Sequence, residues 1–592
     1  MILREGRVIG KVIPGGFSCE WEERAESSDD DYNTRFACGT PYHVQSQFRL
    51  NSIDNALLFK ADLKPGEQRS VSLALLVNYE AVSEEHVSLL CNYDPEACKN
   101  AAISHFKSQI SDNSLDIICP SGRFGEMLTA MDISTLQLLV RFPGRRGLMP
   151  AQGGSSERYF VWVWEAVFMI RPLLQLGQFA CVRDMLDFVF ALQDAGYPPE
   201  GRLTSLEGAI GTTGPRWLNS TGSALSLAAD YYAYSRDQEF IAEYLPKMLR
   251  AADWIVREIT ATRKLNPDGS RPLWSGLMPY GCATDGDIGY NLTFTDAYTY
   301  QGLDKTAALL EQLGHERAAE IRREANNYRS DIGIAVQGLA QENGNILRMI
   351  PTGEEEEMVT LQFDNTVSAI HLATTGAIDA GSEVFQRFID YFETFKADGF
   401  FMGKMDREVS YMGVGEHAWQ DIYLRRGEWK KAFAALRTNL KYGLTQDTLQ
   451  VQERFSIVNP AFTPWQPNGG GNGRIIEMMI RSIYYEHDDT AIVLGCTPFA
   501  WLVDNAVTAL TNLRTPKGMV NVTAEMTSPA QCSVKLSGSE PGVLPQTLRI
   551  PEHFRIESFA CCKSLGGGNY AINDLGTRKV SFVLEDGERG ER

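Results

Sequence analysis

Several absences narrow this sequence before any motif is read. Across 592 residues there is no apolar run near the roughly 20 needed to span a bilayer. The first residues carry no secretory signal, because Glu5, Arg7 and Lys11 interrupt any apolar core. Positive charge is in deficit: 56 Lys and Arg stand against 75 Asp and Glu, for a net charge of −19. Such a surface repels phosphate backbones and anionic lipid, so nucleic acid and membranes are excluded as partners, and uncharged or sugar-like ligands are expected. The oligomeric state stays open. With its N-terminus as given the chain is expected in the cytoplasm; as a fragment of a longer chain it is equally compatible with secretion or a periplasmic location. The 11 cysteines include no CxxC pair, and Cys561 and Cys562 are adjacent, which suits neither a zinc site nor an easy disulfide. Reduced, structural cysteines and no bound metal are expected. There is no HExxH, Walker loop or GxSxG elbow, and no fixed repeat length.

What is present divides into three textures. Residues 1–95 read as strands and turns, with Ala56–Phe59 and Val71–Val77 separated by the turn sequence Lys64-Pro65-Gly66-Glu67. This looks like the last part of a β-sandwich. Residues 96–124 read as a connector with a short helix near 99–107. From 125 to 490, twelve helical patterns follow one another: 125–142, 159–176, 179–193, 217–235, 237–260, 292–313, 315–339, 365–375, 383–396, 416–426, 428–444 and 472–486. Single glycines close some pairs (Gly177, Gly314, Gly427), while other links are long (194–216, 263–291, 445–471). Alternating short and long links predict six hairpins wound into an (α/α)6 barrel, a mainly α fold whose long loops gather at one end. After about 491, alternating stretches such as Val520–Thr523, Ser533–Leu536 and Val580–Leu584 predict a C-terminal β-sandwich over 491–592. The glycine-rich stretch Gly469–Gly473 follows Trp465-Gln466-Pro467 rather than a strand, and reads as a flexible lead-in to the last helix.

Aromatic and acidic residues gather where the even-numbered helices begin. Arg158, Trp162, Trp164 and Glu165 open the second; Trp217 and Asn219 the fourth. Asp285 and Asp287 precede the sixth and Asp364 the eighth. Glu416, His417 and Trp419 open the tenth, and Glu453 and Trp465 precede the twelfth. If those helices form an inner ring, these groups face one cavity, where aromatic faces stack on sugar rings and carboxylates bind hydroxyls or move protons. Taken singly each has a plainer reading: the tryptophans as core packing, Asp285 or Asp287 as helix caps, and His417 as a hydrogen-bonded structural histidine rather than a metal ligand.

The order of strands, twelve helices and terminal sandwich resembles the six-hairpin glycosidase superfamily of (α/α)6 glycoside hydrolases. "WVWEAVFMIRPLLQLG" (Trp162–Gly177) resembles its first inner helix, with Glu165 where Asp is common. "YYAYSRDQEFIAEYLPKMLRAADWI" (Tyr231–Ile255) resembles its helix-hairpin signature. The stretches 276–303 and 452–465 resemble the loops that supply its acid and base. The resemblance implies hydrolysis of a glycosidic bond in an oligo- or polysaccharide, with inversion and without a cofactor. Asp287 would be the acid, with Asp285 in reserve, and Glu453 the base. Arg158, Trp164, Glu165, Trp217, Asn219, Glu416, His417, Trp419 and Trp465 would bind the carbohydrate substrate. Two other classes remain open on the same toroid. A lyase (or a phosphorylase or epimerase) is one, with Tyr411 or His417 as a lyase base and Arg158 against a uronate. A non-catalytic carbohydrate-binding protein is the other.

Overall fold

The computed structural model divides into two units, residues 1–112 and 113–592. It describes most of the chain from residue 84 to residue 584, together with shorter stretches before that; the larger segments outside the described residues are 24–54, 76–83, 111–114, 142–145, 154–159, 285–287, 341–345, 352–367, 457–466, 573–577 and 585–592.

In the first unit, strands Ile2–Arg4, Arg7–Ile13 and Ser72–Leu75 form an antiparallel sheet in that order, and Ser18–Glu23 pairs with Asn55–Lys60. The Pro65-Gly66 turn forms as its sequence predicts. Gly66 takes φ +81° and the Glu67 N–H donates to the Lys64 carbonyl at 2.9 Å. Helices α1 (Glu84–Cys91) and α2 (Pro95–Gln109) follow, the second capped by the Asp94 carboxylate, which accepts from two backbone N–H groups.

The second unit contains twelve helices among the described residues before its terminal sheets. They are α3 (Gly122–Gln137), α4 (Val163–Gln175), α5 (Phe179–Ala191), α6 (Ser220–Ser235), α7 (Gln238–Thr262) and α8 (Ala297–Gln312). Then come α9 (Ala318–Leu339), α10 (Ile370–Thr374), α11 (Glu383–Glu393), α12 (Gly413–Arg426), α13 (Trp429–Tyr442) and α14 (Gly469–Ile483). Gly177 and Gly427, at φ +80° and +76°, make the sharp breaks between α4 and α5 and between α12 and α13. The even-numbered helices close a cycle: α4 packs on α6, α6 on α8, α8 on α10, α10 on α12, α12 on α14 and α14 on α4. The odd-numbered helices lie against that cycle from outside. Every residue of α14 except Arg481 is buried, polar ones included, whereas α7, an outer helix, buries one stripe.

Three local features depart from the sequence reading. A π-helical turn, Leu292–Asp296, precedes α8, with Asn291 capping it by accepting from the Phe294 N–H at 3.0 Å. A four-stranded antiparallel sheet interrupts the helical region, in the order Lys396–Ala397, Phe400–Met405, Glu408–Met412, Arg454–Ser456. Its last strand comes from far along the chain, so no local pattern announced it. Finally, Gly469–Gly473 is not a flexible lead-in: it forms the first turn of α14, packed against α4. A side chain on Gly473 would stand 1.8 Å from the Phe168 carbonyl oxygen, so glycine is what lets the two inner helices approach so closely.

After α14 come a five-stranded and a six-stranded sheet. The outer strand of the larger one is Asp116–Ile118, which pairs with Val507–Thr515 although it precedes every helix of this unit. Along Gly518–Ser528, Val520, Val522, Ala524 and Met526 are buried in alternation, the pattern of a half-buried strand. No helix among the described residues is long and apolar enough to cross a membrane.

The helix contact can be tested against a control. Gly473→Ala forces backbone apart and should destabilise by about 1–3 kcal/mol or more. Gly333→Ala, in α9 with nothing within 4 Å of its added carbon, should stabilise by about 0.5–1 kcal/mol through helix propensity. Chemical denaturation of both variants reads the difference.

Candidate active site

The N-terminal ends of the inner helices build a layered interior. At its centre is the Trp164 indole, 1% exposed. Its ring meets Phe168 at 5.0 Å, Phe294 at 4.7 Å, Tyr298 at 5.5 Å, Trp217 at 6.2 Å and His371 at 6.2 Å. These rings come from α4, the turn before α6, the π turn with α8, and α10, so one side chain ties together four inner segments. Nearly all of these contacts are edge-to-face, the arrangement ring quadrupoles favour. Trp162 joins the same cluster. The helix expected over 159–176 would carry both tryptophans, but α4 begins at Val163 and Trp162 is extended, at φ −92° and ψ 110°.

Polar groups sit on this aromatic floor. Arg474, one turn into α14, lies over the faces of Trp164 and Phe168, 5.2 and 4.2 Å from their centroids, and its Nη2 donates to Glu165 Oε2 at 2.7 Å. Burial raises the Glu165 carboxyl above its ordinary value; Arg474 draws it back, and the charge of Glu453 raises it again. Glu453 is thus within electrostatic reach of Glu165. It precedes the strand Arg454–Ser456, whose pairing with Glu408–Met412 sets Met412 opposite Arg454. Asn468, the cap of α14, accepts from the Gly471 N–H at 2.6 Å and donates from Nδ2 to Glu453 Oε2 at 3.4 Å. Gln152 holds the neighbouring loop, accepting from Gly469 N at its carbonyl and from Gly470 N at Oε1.

Of the residues singled out in the sequence, the structure brings together Trp164, Glu165, Trp217 and Glu453. Asn219 is fully buried just before α6, and neither atom of its amide has a hydrogen-bond partner among the described residues. Arg158, Asp285, Asp287, Asp364 and Trp465 lie outside the described residues. Three others stand apart from the Glu165–Arg474 pair. Trp419 stacks on Phe388 and Phe392 of α11, 6.0 and 5.7 Å away. It follows His417 by two positions, and a step of about 200° on a helix turns it from the ring interior to the outer layer. Glu416 is buried beside Lys396, whose ammonium it helps to keep charged. His417 lies beneath the aromatic floor, its Nε2 2.6 Å from Glu477 Oε2. Burial and the nearby Arg481 push its pKa down to about 4, so it stays neutral and donates to the carboxylate. Arg474 and Tyr298 were not singled out in the sequence. The signal available for Arg474 was its position one turn into the last inner helix.

Among the described residues no group of three or more His, Cys, Asp or Glu side chains is arranged to hold a metal ion. No family model matches the chain, and no curated protein matches it in sequence. Solved structures do match. An α-L-rhamnosidase from Dictyoglumus thermophilum aligns at 11% identity and TM-score 0.50, over 80% of this chain and 50% of that one. The GH78 family rhamnosidase of Bacillus sp. GL1 aligns at 12% identity and TM-score 0.50, over 74% and 43%. In fold the chain resembles the six-hairpin glycosidases. It spans half or less of the length of these two rhamnosidases.

A buried acid under this site gives a pH test. Asp296, in the π turn, accepts at Oδ1 from the Met278 N–H (2.7 Å) and the Tyr328 hydroxyl (2.6 Å), and burial raises its pKa to about 7. The folded state therefore holds a proton that the unfolded state releases near pH 4. That contribution to stability is complete below pH 4 and lost as pH rises through 7, on the order of 4 kcal/mol. Asp296→Asn, which keeps the Oδ1 acceptor, should flatten the decline. The residual slope should reflect Asp132, raised by burial to about 6, together with Glu165, which burial also raises. Urea denaturation at pH 4.5 and 7.5 measures it; equal slopes in the two proteins would contradict the assignment.

Proposed function

We propose that the chain is a glycoside hydrolase whose twelve helices form an (α/α)6 barrel, followed by a β-sandwich, and that it cleaves a glycosidic bond of an oligo- or polysaccharide. The observation that carries this reading is the joint placement of Trp162, Trp164 and Trp217 with the Glu165–Arg474 pair and Glu453 where the inner helices begin. Aromatic faces suit the apolar faces of a pyranose, and a buried carboxylate–guanidinium pair suits its hydroxyls. The same fold in the two rhamnosidases supports the reading.

The mechanism proposed is inverting. Asp287, from the loop before α8, gives its proton to the leaving oxygen, and Glu453 takes a proton from the attacking water. Asp285 is the reserve acid. These loops precede the third and sixth inner helices, three places apart in a ring of six and so on opposite sides, as inversion requires. Arg158, Trp217, Asn219 and Trp465 extend the substrate pocket. The lyase reading is weaker, since its candidate base His417 lies under the aromatic floor and is bonded to Glu477.

A panel of p-nitrophenyl glycosides and oligosaccharides, with products identified by mass and by NMR anomer, tests the function. Asp287→Asn and Glu453→Gln should each lower turnover at least about a hundredfold, with circular dichroism unchanged. Glu165→Gln should raise KM more than it lowers kcat. Near-normal turnover in either of the first two variants removes that residue from the pair. Release of a product absorbing near 235 nm in place of a reducing sugar would move the chain to the lyases.

A further inference from the structure

Below the aromatic floor the inner helices line a cavity of about 80 Å³. Phe168, Tyr298 and His371, the underside of the floor, bound it above, and Arg171, Arg425 and Arg481 line it with Asp421. The placement follows from helical spacing. Trp164, Phe168 and Arg171 descend one face of α4, and His417, Asp421 and Arg425 one face of α12. The walls are heavily paired. Asp230 accepts from Arg171 Nε at 3.1 Å and from Lys305 Nζ at 2.7 Å. Asp421 pairs with Arg425 at 2.6 Å, and Glu477 with Arg481 at 3.3 Å.

The lining itself is cationic: it carries three guanidinium groups (Arg171, Arg425, Arg481) and one carboxylate (Asp421), and His417 stays neutral. One donor among them lacks a partner. Nη2 of Arg171 is buried and has no acceptor among the described residues, while the Nη groups of Arg425 and Arg481 all donate to acceptors on neighbouring helices or their own. A buried guanidinium N–H without an acceptor is costly, and one monovalent anion beside it supplies the acceptor. The cavity has room for such an ion with one or two waters, at about 30 Å³ for each water. We propose that this chamber is a binding site for one small monovalent inorganic anion of halide size, held by Arg171 and bracing α4, α12 and α14 against one another. The proposal stands apart from the assignment of a glycosidase site above the floor.

Bromide is the probe. Crystals of the full chain soaked in sodium bromide should show an anomalous peak within hydrogen-bonding distance of Arg171 Nη2. The melting temperature should rise saturably, by about 2 °C or more, in sodium bromide relative to sodium gluconate of equal ionic strength, because gluconate is too large to enter. Arg171→Gln should abolish that difference. Should the variant fail to fold, the map of the unaltered protein decides alone. Bromide at surface sites with none in the chamber, or a melting shift unchanged in Arg171→Gln, overturns the proposal.

Discussion

The inner ring depends on helices touching backbone to backbone. Where α6 meets α8, a side chain on Gly302 would stand 2.0 Å from the Gly222 carbonyl oxygen, and one on Gly222 would stand 2.5 Å from the Thr299 Cα. Where α14 meets α4, Gly473 does the same against Phe168. No flexible side chain can move aside at these points, because the obstacle is main chain. The short contacts draw the helices together, and the side chains they project inward must share a narrow interior. Only there can one indole, Trp164, touch rings from four inner segments.

That crowding sorts the interior by depth. Each turn down an inner helix moves about 5.4 Å along its axis. Glu165 and Arg474 therefore meet above the aromatic layer, and Arg171, Asp421 and Arg481 below it. Burial acts on every ionisable group by the same rule, penalising the charged form, yet with opposite results. It raises the carboxyls of Glu165, Asp132 and Asp296 and lowers the imidazolium of His417. Glu477 goes the other way, held well below the usual carboxylate range because Arg481 and His417 outweigh its burial. The contrast between the two levels follows: above the floor a carboxyl raised by burial is held by one arginine, and below it several ion pairs gather.

The helices and their order were legible from periodicity and from the glycines that break it. So was the gathering of aromatic and acidic residues at inner-helix starts, since a helix start is a local event. Which face such a residue takes was not legible from its presence there. Trp419 and His417 stand two positions apart; one packs outward on Phe388 and the other inward on Glu477. The strand beside Glu453 could not be read either, because its partner lies some forty residues earlier in the chain.

By itself, then, the sequence determined that the chain is mainly helical, where most of its helices lie, and that aromatic and acidic side chains gather near their starts. These follow from local rules: apolar spacing, capping and turn chemistry. The tertiary structure alone decided that Glu165 is matched with Arg474, which lies 309 residues further on. It alone decided that the Gly469–Gly473 run is a packing surface, and that Arg171 keeps a buried N–H without an acceptor beneath an aromatic floor. The reason is the same in each case. Close approach and net buried charge belong to sets of helices that meet only when the ring closes, and no single helix carries them.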